Sequence, residues 1–145
     1  MSCIITLDGN GAKIKIDIFG YENPYAEDLS DANWLSCYVK LDIEKFTANF
    51  SASFTTSDFV SFYNDLNRIM LDFIGSASFV TDEEKLYLNI EIGKTGRACV
   101  KGLAQIHGKP KAALSFSFDT DQSFINKTIH ELNAALQNYP VKRGK

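Results

Sequence analysis

A chain of 145 residues that is 45% hydrophobic and 23% charged has the length and composition of one globular domain, not of a disordered or collagen-like polymer. Eighteen acidic residues against fifteen basic ones leave a formal charge of −3, without the cationic excess typical of a nucleic-acid-binding domain. No apolar run approaches the roughly 18–20 residues needed to cross a bilayer. The first eight residues, Met1 to Asp8, lack the positive region and long apolar stretch of a signal peptide, so a cytoplasmic protein is expected.

Taken in chain order, the sequence alternates with period two again and again, each time between turn residues. Asp8-Gly9-Asn10-Gly11 reads as a hairpin turn, and Lys13 to Phe19 then sets Ile14, Ile16 and Ile18 on one face with Lys15 and Asp17 on the other. From Trp34 to Glu44, Leu35, Cys37, Val39, Leu41 and Ile43 alternate with Ser36, Tyr38, Lys40 and Asp42. After the short connection Glu44-Lys45, Phe46, Ala48, Phe50, Ala52 and Phe54 alternate with Thr47, Asn49, Ser51 and Ser53. The period then changes to 3.6. Between Ser57 and Ile74, Phe59, Phe62, Tyr63, Leu66, Ile69, Met70 and Phe73 share one helical face, with Thr56 or Ser57 as N-cap and Gly75 as the stop.

Strands resume with Leu86 to Ile92, Ala98 to Ile106 and Ala112 to Phe118, turning at Gly93-Lys94-Thr95-Gly96 and again at His107-Gly108-Lys109-Pro110. A second helical stripe, Ile125, Ile129, Leu132, Ala135 and Leu136, starts from the N-cap Asp121 and ends before Pro140. The order is ββββα twice over. Each helix follows a phenylalanine-ended strand and a polar cap, and Leu66-Asn67 recurs as Leu132-Asn133. This predicts an α+β fold: a mainly antiparallel, curved sheet of about eight strands, with two helices on one face and the other face wet. Residues 1–141 are expected to form this single domain and 142–145 a basic, solvated tail.

Catalytic chemistry is not visible. His107 lies in a Gly/Pro turn, and His130-Glu131 has no second histidine four residues on, so the zincin motif is absent. Gly93-Lys94-Thr95 lacks the upstream glycine of a phosphate-binding loop, and Asn126-Lys127-Thr128 is a sequon inside a helix. The carboxylates of Asp82-Glu83-Glu84 and of Asp119 and Asp121 read as a turn and a helix cap, with no apolar surround to hold one acid protonated. Cys3, Cys37 and Cys99 are odd in number and far apart, which favours reduced thiols over a disulfide framework or a zinc set. Cys99, on the polar parity of its strand, is expected to be the reachable one. No metal, cofactor or enzymatic activity is expected.

The unusual segment is residues 21–33, which hold four acids, two tyrosines and no Lys or Arg. It reads either as a solvated crossover or as a recognition loop for a partner with a basic surface. Asp31-Ala32-Asn33-Trp34-Leu35, preceded by Gly20-Tyr21-Glu22-Asn23-Pro24, resembles a D-x-N-W-L element of the WapI-like immunity proteins. Further similarity runs through Phe50 to Leu66, through Phe116-Ser117-Phe118-Asp119-Thr120-Asp121-Gln122-Ser123-Phe124, and to Tyr139-Pro140-Val141.

The resemblance implies a non-catalytic bacterial immunity protein that binds the C-terminal domain of a cognate toxin, often a nuclease, and occludes its active or substrate-binding surface. It offers no catalytic residues to carry over. An acidic partner is suited to a nuclease's cationic surface. The expected toxin contacts are therefore Glu22, Tyr25, Glu27, Asp28 and Asp31. The rival surface is the wet sheet face, with Tyr38, Lys40, Asn49, Tyr87 and Asn89. Two other readings stay open: a domain that self-associates through a sheet edge as a homodimer, and a binder of a small ligand between helices and sheet.

Overall fold

The computed structural model describes residues 3–143, so Gly144 and Lys145 of the expected tail lie outside the described residues. The elements are β1 (Cys3–Gly9), β2 (Ala12–Tyr21), α1 (Leu29–Ala32), β3 (Trp34–Ile43), β4 (Phe46–Thr55), α2 (Thr56–Asp72), β5 (Gly75–Phe79), β6 (Leu86–Ile92), β7 (Arg97–Ile106), β8 (Ala112–Asp121) and α3 (Gln122–Asn138). The repeated ββββα order is present. The eight strands do not run as one sheet, however. They form two four-stranded antiparallel meanders, β1-β2-β3-β4 and β5-β6-β7-β8. Period-two alternation fixes which side of each strand is dry, but carries no information on where one sheet stops and the next begins.

Within each meander the expected parity holds. Ile14, Ile16, Ile18, Leu35, Cys37, Val39 and Leu41 are buried in the first sheet, and Leu86, Leu88, Ile90, Ile92, Val100 and Ala104 in the second. The pattern weakens at strand ends, where Phe46 and Ile106 are 65% and 52% exposed despite their apolar parity. Burial pushes the Cys37 thiol up to about 12, whereas Cys99 is half-buried on the outer side of its strand.

The two halves share one core. Phe54 of β4 meets Phe79 of β5 edge-on at 5.1 Å, and Phe59 and Phe62 of α2 close on the same ring, each at 5.4 Å. At another junction the β1–β2 turn abuts β8: the Asn10 amide donates to the Asp119 carbonyl at 2.8 Å, and the Thr120 hydroxyl to the Asp8 carbonyl at 2.7 Å. Gly9 permits this approach, because a Cβ there would stand 2.3 Å from the Asp119 carbonyl oxygen.

Each half contributes a ten-residue strand that runs directly into a 17-residue helix. The matched helical positions are buried alike, Leu66 with Leu132 and Ile69 with Ala135. The helices cross over between halves, since α2 packs against β5 and α3 against β1. Along β1, α3 satisfies the edge of the strand. The Thr6 amide and hydroxyl donate to Glu131 Oε1 at 2.9 and 2.6 Å, and the fully buried Thr128 hydroxyl donates to the Thr6 carbonyl at 2.6 Å.

The N-cap of α2 is Thr55, not Thr56 or Ser57. Its hydroxyl accepts from the Asp58 amide at 3.1 Å, while Asp58 accepts from the Thr55 amide at 2.9 Å, completing a capping box. Asp121 caps α3 as expected, accepting from the Ser123 and Phe124 amides. Two stability measurements by chemical denaturation follow. Thr128→Val, which keeps the volume but strands the Thr6 carbonyl, should lower stability by about 1–3 kcal/mol. Thr55→Ala, which removes the cap, should lower it by about 1 kcal/mol.

Candidate functional site

The acidic segment is an ordered loop. It leaves β2 after Tyr21, just past a register shift between Ile18 and Gly20, where the glycine has a φ of 156°. Tyr21 then anchors it: the hydroxyl donates to the Pro140 carbonyl at 2.6 Å, the ring stands edge-on to Tyr139 at 5.6 Å, and the Lys142 ammonium lies 4.1 Å from the ring centroid. Desolvation, helped by the neighbouring Tyr139, raises the Tyr21 phenol above its ordinary value. A turn follows, closed by the Ala26 amide on the Asn23 carbonyl at 3.1 Å, with Lys142 Nζ donating to the Pro24 carbonyl at 3.3 Å.

The far end of the loop converges on Asn33. Its Oδ1 accepts from the Lys142 amide and the Thr56 hydroxyl, both at 2.8 Å, while its Nδ2 donates to the Leu29 and Lys142 carbonyls at 2.9 and 3.1 Å. Asn33 therefore ties together the loop, the start of α2 and the C-terminal segment. Lys142, expected in a solvated tail, is instead half-buried against this loop. Neither role was legible from local spacing, since both partners lie more than a hundred positions apart in the chain. Of the segments carrying the resemblance, 20–24, 31–35 and 139–141 are brought together by folding around Tyr21 and Asn33.

The five expected contact residues divide into two groups. Glu22 accepts a hydrogen bond from the Ser53 hydroxyl on β4. Asp28 is the N-cap of the one-turn helix α1, which lies inside the segment expected as loop, and its carboxylate accepts from the Ser30 amide and hydroxyl at 2.9 and 2.8 Å. These bonds hold Asp28 below the usual carboxylate range. The other three are uncommitted: Tyr25 is 96% exposed, and the exposed Glu27 and Asp31 carboxylates have no hydrogen-bond or ion-pair partner among the described residues.

The rival residues do not form one face. Tyr38 and Lys40, with Asn49 opposite Lys40, lie on the outer side of the first sheet. Tyr87 and Asn89 lie on the second, where Asn89 Nδ2 donates to the Ser78 hydroxyl at 2.8 Å.

A concavity of about 1010 Å³ lies between the β1–β2 turn and the outer side of the second sheet, lined among others by Asn10, Glu91, Arg97, Cys99, Asp119 and Phe124. Cys99 stands there in one cross-strand row between Glu91 and Asp119. Among the described residues no group of three His, Cys, Asp or Glu is placed to hold a metal ion, and no helix is long and apolar enough to cross a membrane.

The repeated ββββα frame thus carries an ordered acidic loop that turns Tyr25, Glu27 and Asp31 to solvent, a surface available to a partner. The model of the WapI-like immunity protein family matches residues 4–140, and the chain belongs to that family. Its members are non-catalytic, and membership implies toxin neutralisation and a cognate toxin as partner. No curated protein matches the chain.

The Asp28 cap makes the loop pH-sensitive. A carboxylate whose folded-state pKa is lowered contributes order above its unfolded value and loses it as pH falls through the folded one. Hydrogen-exchange protection of the Ser30 amide should therefore decline below about pH 4. In Asp28→Asn, which caps without titrating, that decline should disappear.

Proposed function

We propose that this protein works in the cytoplasm as the immunity partner of a toxin with a nuclease C-terminal domain, and that loop 22–31 covers the cationic substrate-binding surface of that domain. The observation that carries the reading is Tyr25, 96% exposed at the tip of a loop pinned from both sides by Tyr21, Asn33 and Lys142. An exposed aromatic on a prearranged loop can dock without the ordering cost that a mobile segment incurs, and buried aromatics dominate interface energetics. The free Glu27 and Asp31 carboxylates beside it suit lysines and arginines that would otherwise hold phosphate, and they add electrostatic steering to the encounter. Glu22 and Asp28 support the loop through their internal hydrogen bonds and contribute negative field rather than direct pairing.

Co-expression with the toxin domain encoded beside this gene tests the reading, scored by growth rescue and by co-purification. Tyr25→Ala should weaken the complex by about 2 kcal/mol, roughly thirtyfold in Kd. Charge reversal at Glu27 and Asp31 should slow association and remove most of its salt dependence. Lys40→Glu and Tyr87→Ala should leave binding unchanged. Loss of binding confined to those two substitutions would move the interface to the sheets.

A further inference from the structure

Four strand edges bound the two sheets, and they are not treated alike. The β1 edge is covered by α3 through Thr128 and Glu131, and at β5 the Arg68 guanidinium donates to the Ser76 carbonyl at 3.0 Å. The end of β8 meets the β1–β2 turn through the Asp119 carbonyl, and Lys109 and Lys111 precede its free half. On β4, the Ser51 carbonyl accepts from Lys85 Nζ at 3.3 Å. From Ser51 back to Phe46, no other described residue bonds the outward side of the backbone.

Free edges are normally guarded by charge, proline or bulges, because they template pairing with another chain. Residues 46–50 of β4 have none of these, the Lys85 ammonium lying on the edge at Ser51. β4 is the one strand of the first sheet without a charged residue, reading Phe-Thr-Ala-Asn-Phe-Ser-Ala-Ser-Phe-Thr, and its pairing with β3 runs without a bulge. At its open end Phe46 is 65% exposed.

We infer that residues 46–50 of β4 form a strand-addition edge occupied by a second copy of this chain, the two β4 strands pairing antiparallel about Ala48. The backbone parity permits this register. Because the Ser51 carbonyl points out of the sheet, Asn49 and Thr47 also present their amide and carbonyl outward. A two-fold axis at Ala48 sets Thr47 opposite Asn49 of the second copy, and each such pair exchanges two hydrogen bonds.

The side chains are self-complementary in the same register. On the dry side Phe46 lies opposite Phe50 of the second copy, flanking a central Ala48 pair at a non-hydrogen-bonded site, where Cα atoms approach to about 4.5 Å and bulk is excluded. On the wet side Thr47 meets Asn49, both uncharged; Lys45 falls opposite Ser51, whose carbonyl Lys85 already holds, so the pairing ends at residues 46–50. A neutral, palindromic pattern of large, small and large suits a copy of itself better than the basic partner the acidic loop suits. The loop contacts β4 at Ser53, toward the other end, so pairing at 46–50 leaves both loops free. The inference is independent of the proposed toxin contacts.

Sedimentation equilibrium of the full chain should show a concentration-dependent dimer of the 16.2 kDa subunit. Asn49→Pro removes an outward amide while sparing the β3 ladder, and Phe46→Lys charges the edge; each should raise the dimer Kd about tenfold or more with the melting temperature little changed. Ser115→Pro, the equivalent lesion on β8, should leave the dimer intact. Ala48→Cys should cross-link to itself on oxidation, with the joined peptides identified by mass spectrometry, since the paired Cα separation lies in the disulfide range. A chain that stays monomeric at all concentrations, a dimer unmoved by both β4 variants, or one broken by Ser115→Pro would overturn the inference. So would a monomer whose toxin complex is lost in Asn49→Pro, which would give the edge to the toxin.

Discussion

The architecture depends on one edge being closed by an element from the other half of the chain. β1 lies at the rim of the first sheet, and its outward amide and carbonyl at Thr6 would otherwise be unpaired in a place too buried for free hydration. Glu131 and Thr128, one turn apart on α3, satisfy both. Because α3 follows directly from β8, covering β1 also fixes the second meander against the first, and the Asn10–Asp119 and Thr120–Asp8 contacts fall at the same junction. The reciprocal packing of α2 on β5, with Phe54, Phe59, Phe62 and Phe79 clustered beside it, closes the arrangement. Neither half buries its apolar face without the other's helix.

Most of this frame was readable in the sequence because period is a local property. Strand parity at Ile14-Ile16-Ile18 and Leu86-Leu88-Ile90, the two helical stripes and the Asp121 cap all follow from neighbours within a few residues. What stayed hidden depends on distance. The split into two sheets lies in long-range pairing, with β4 ending the first meander and β5 opening the second. The cap of α2 is not fixed locally, because Thr55, Thr56 and Ser57 are three hydroxyls in a row and Asn33 takes the Thr56 hydroxyl into the buried framework.

The acidic loop shows the same limit from the functional side. Its composition singles it out, but composition alone does not distinguish Glu22, Glu27, Asp28 and Asp31. Internal hydrogen bonds separate them into two that shape the loop and two that face solvent, with Tyr25 beyond both. A binding loop in a small domain faces competing demands, since charge must be displayed while the backbone is held still. Here the two are met by dividing the carboxylates between tasks and by a lysine that binds a carbonyl and a tyrosine ring without ion-pairing the displayed acids.

The anchoring of that loop by Pro140 and Lys142 also sets an order in time. Residues 22–33 are synthesised well before the Pro140 and Lys142 groups that bond Tyr21 and Asn33, which follow more than a hundred positions later. The same is true of β1, whose edge waits for α3. A nascent chain stalled after β8 holds all eight described strands yet lacks both the cover for β1 and the clasp on its acidic loop. The display of Tyr25 is thereby coupled to synthesis through Lys142, and products that stop before Pro140 present a sheet without the ordered loop.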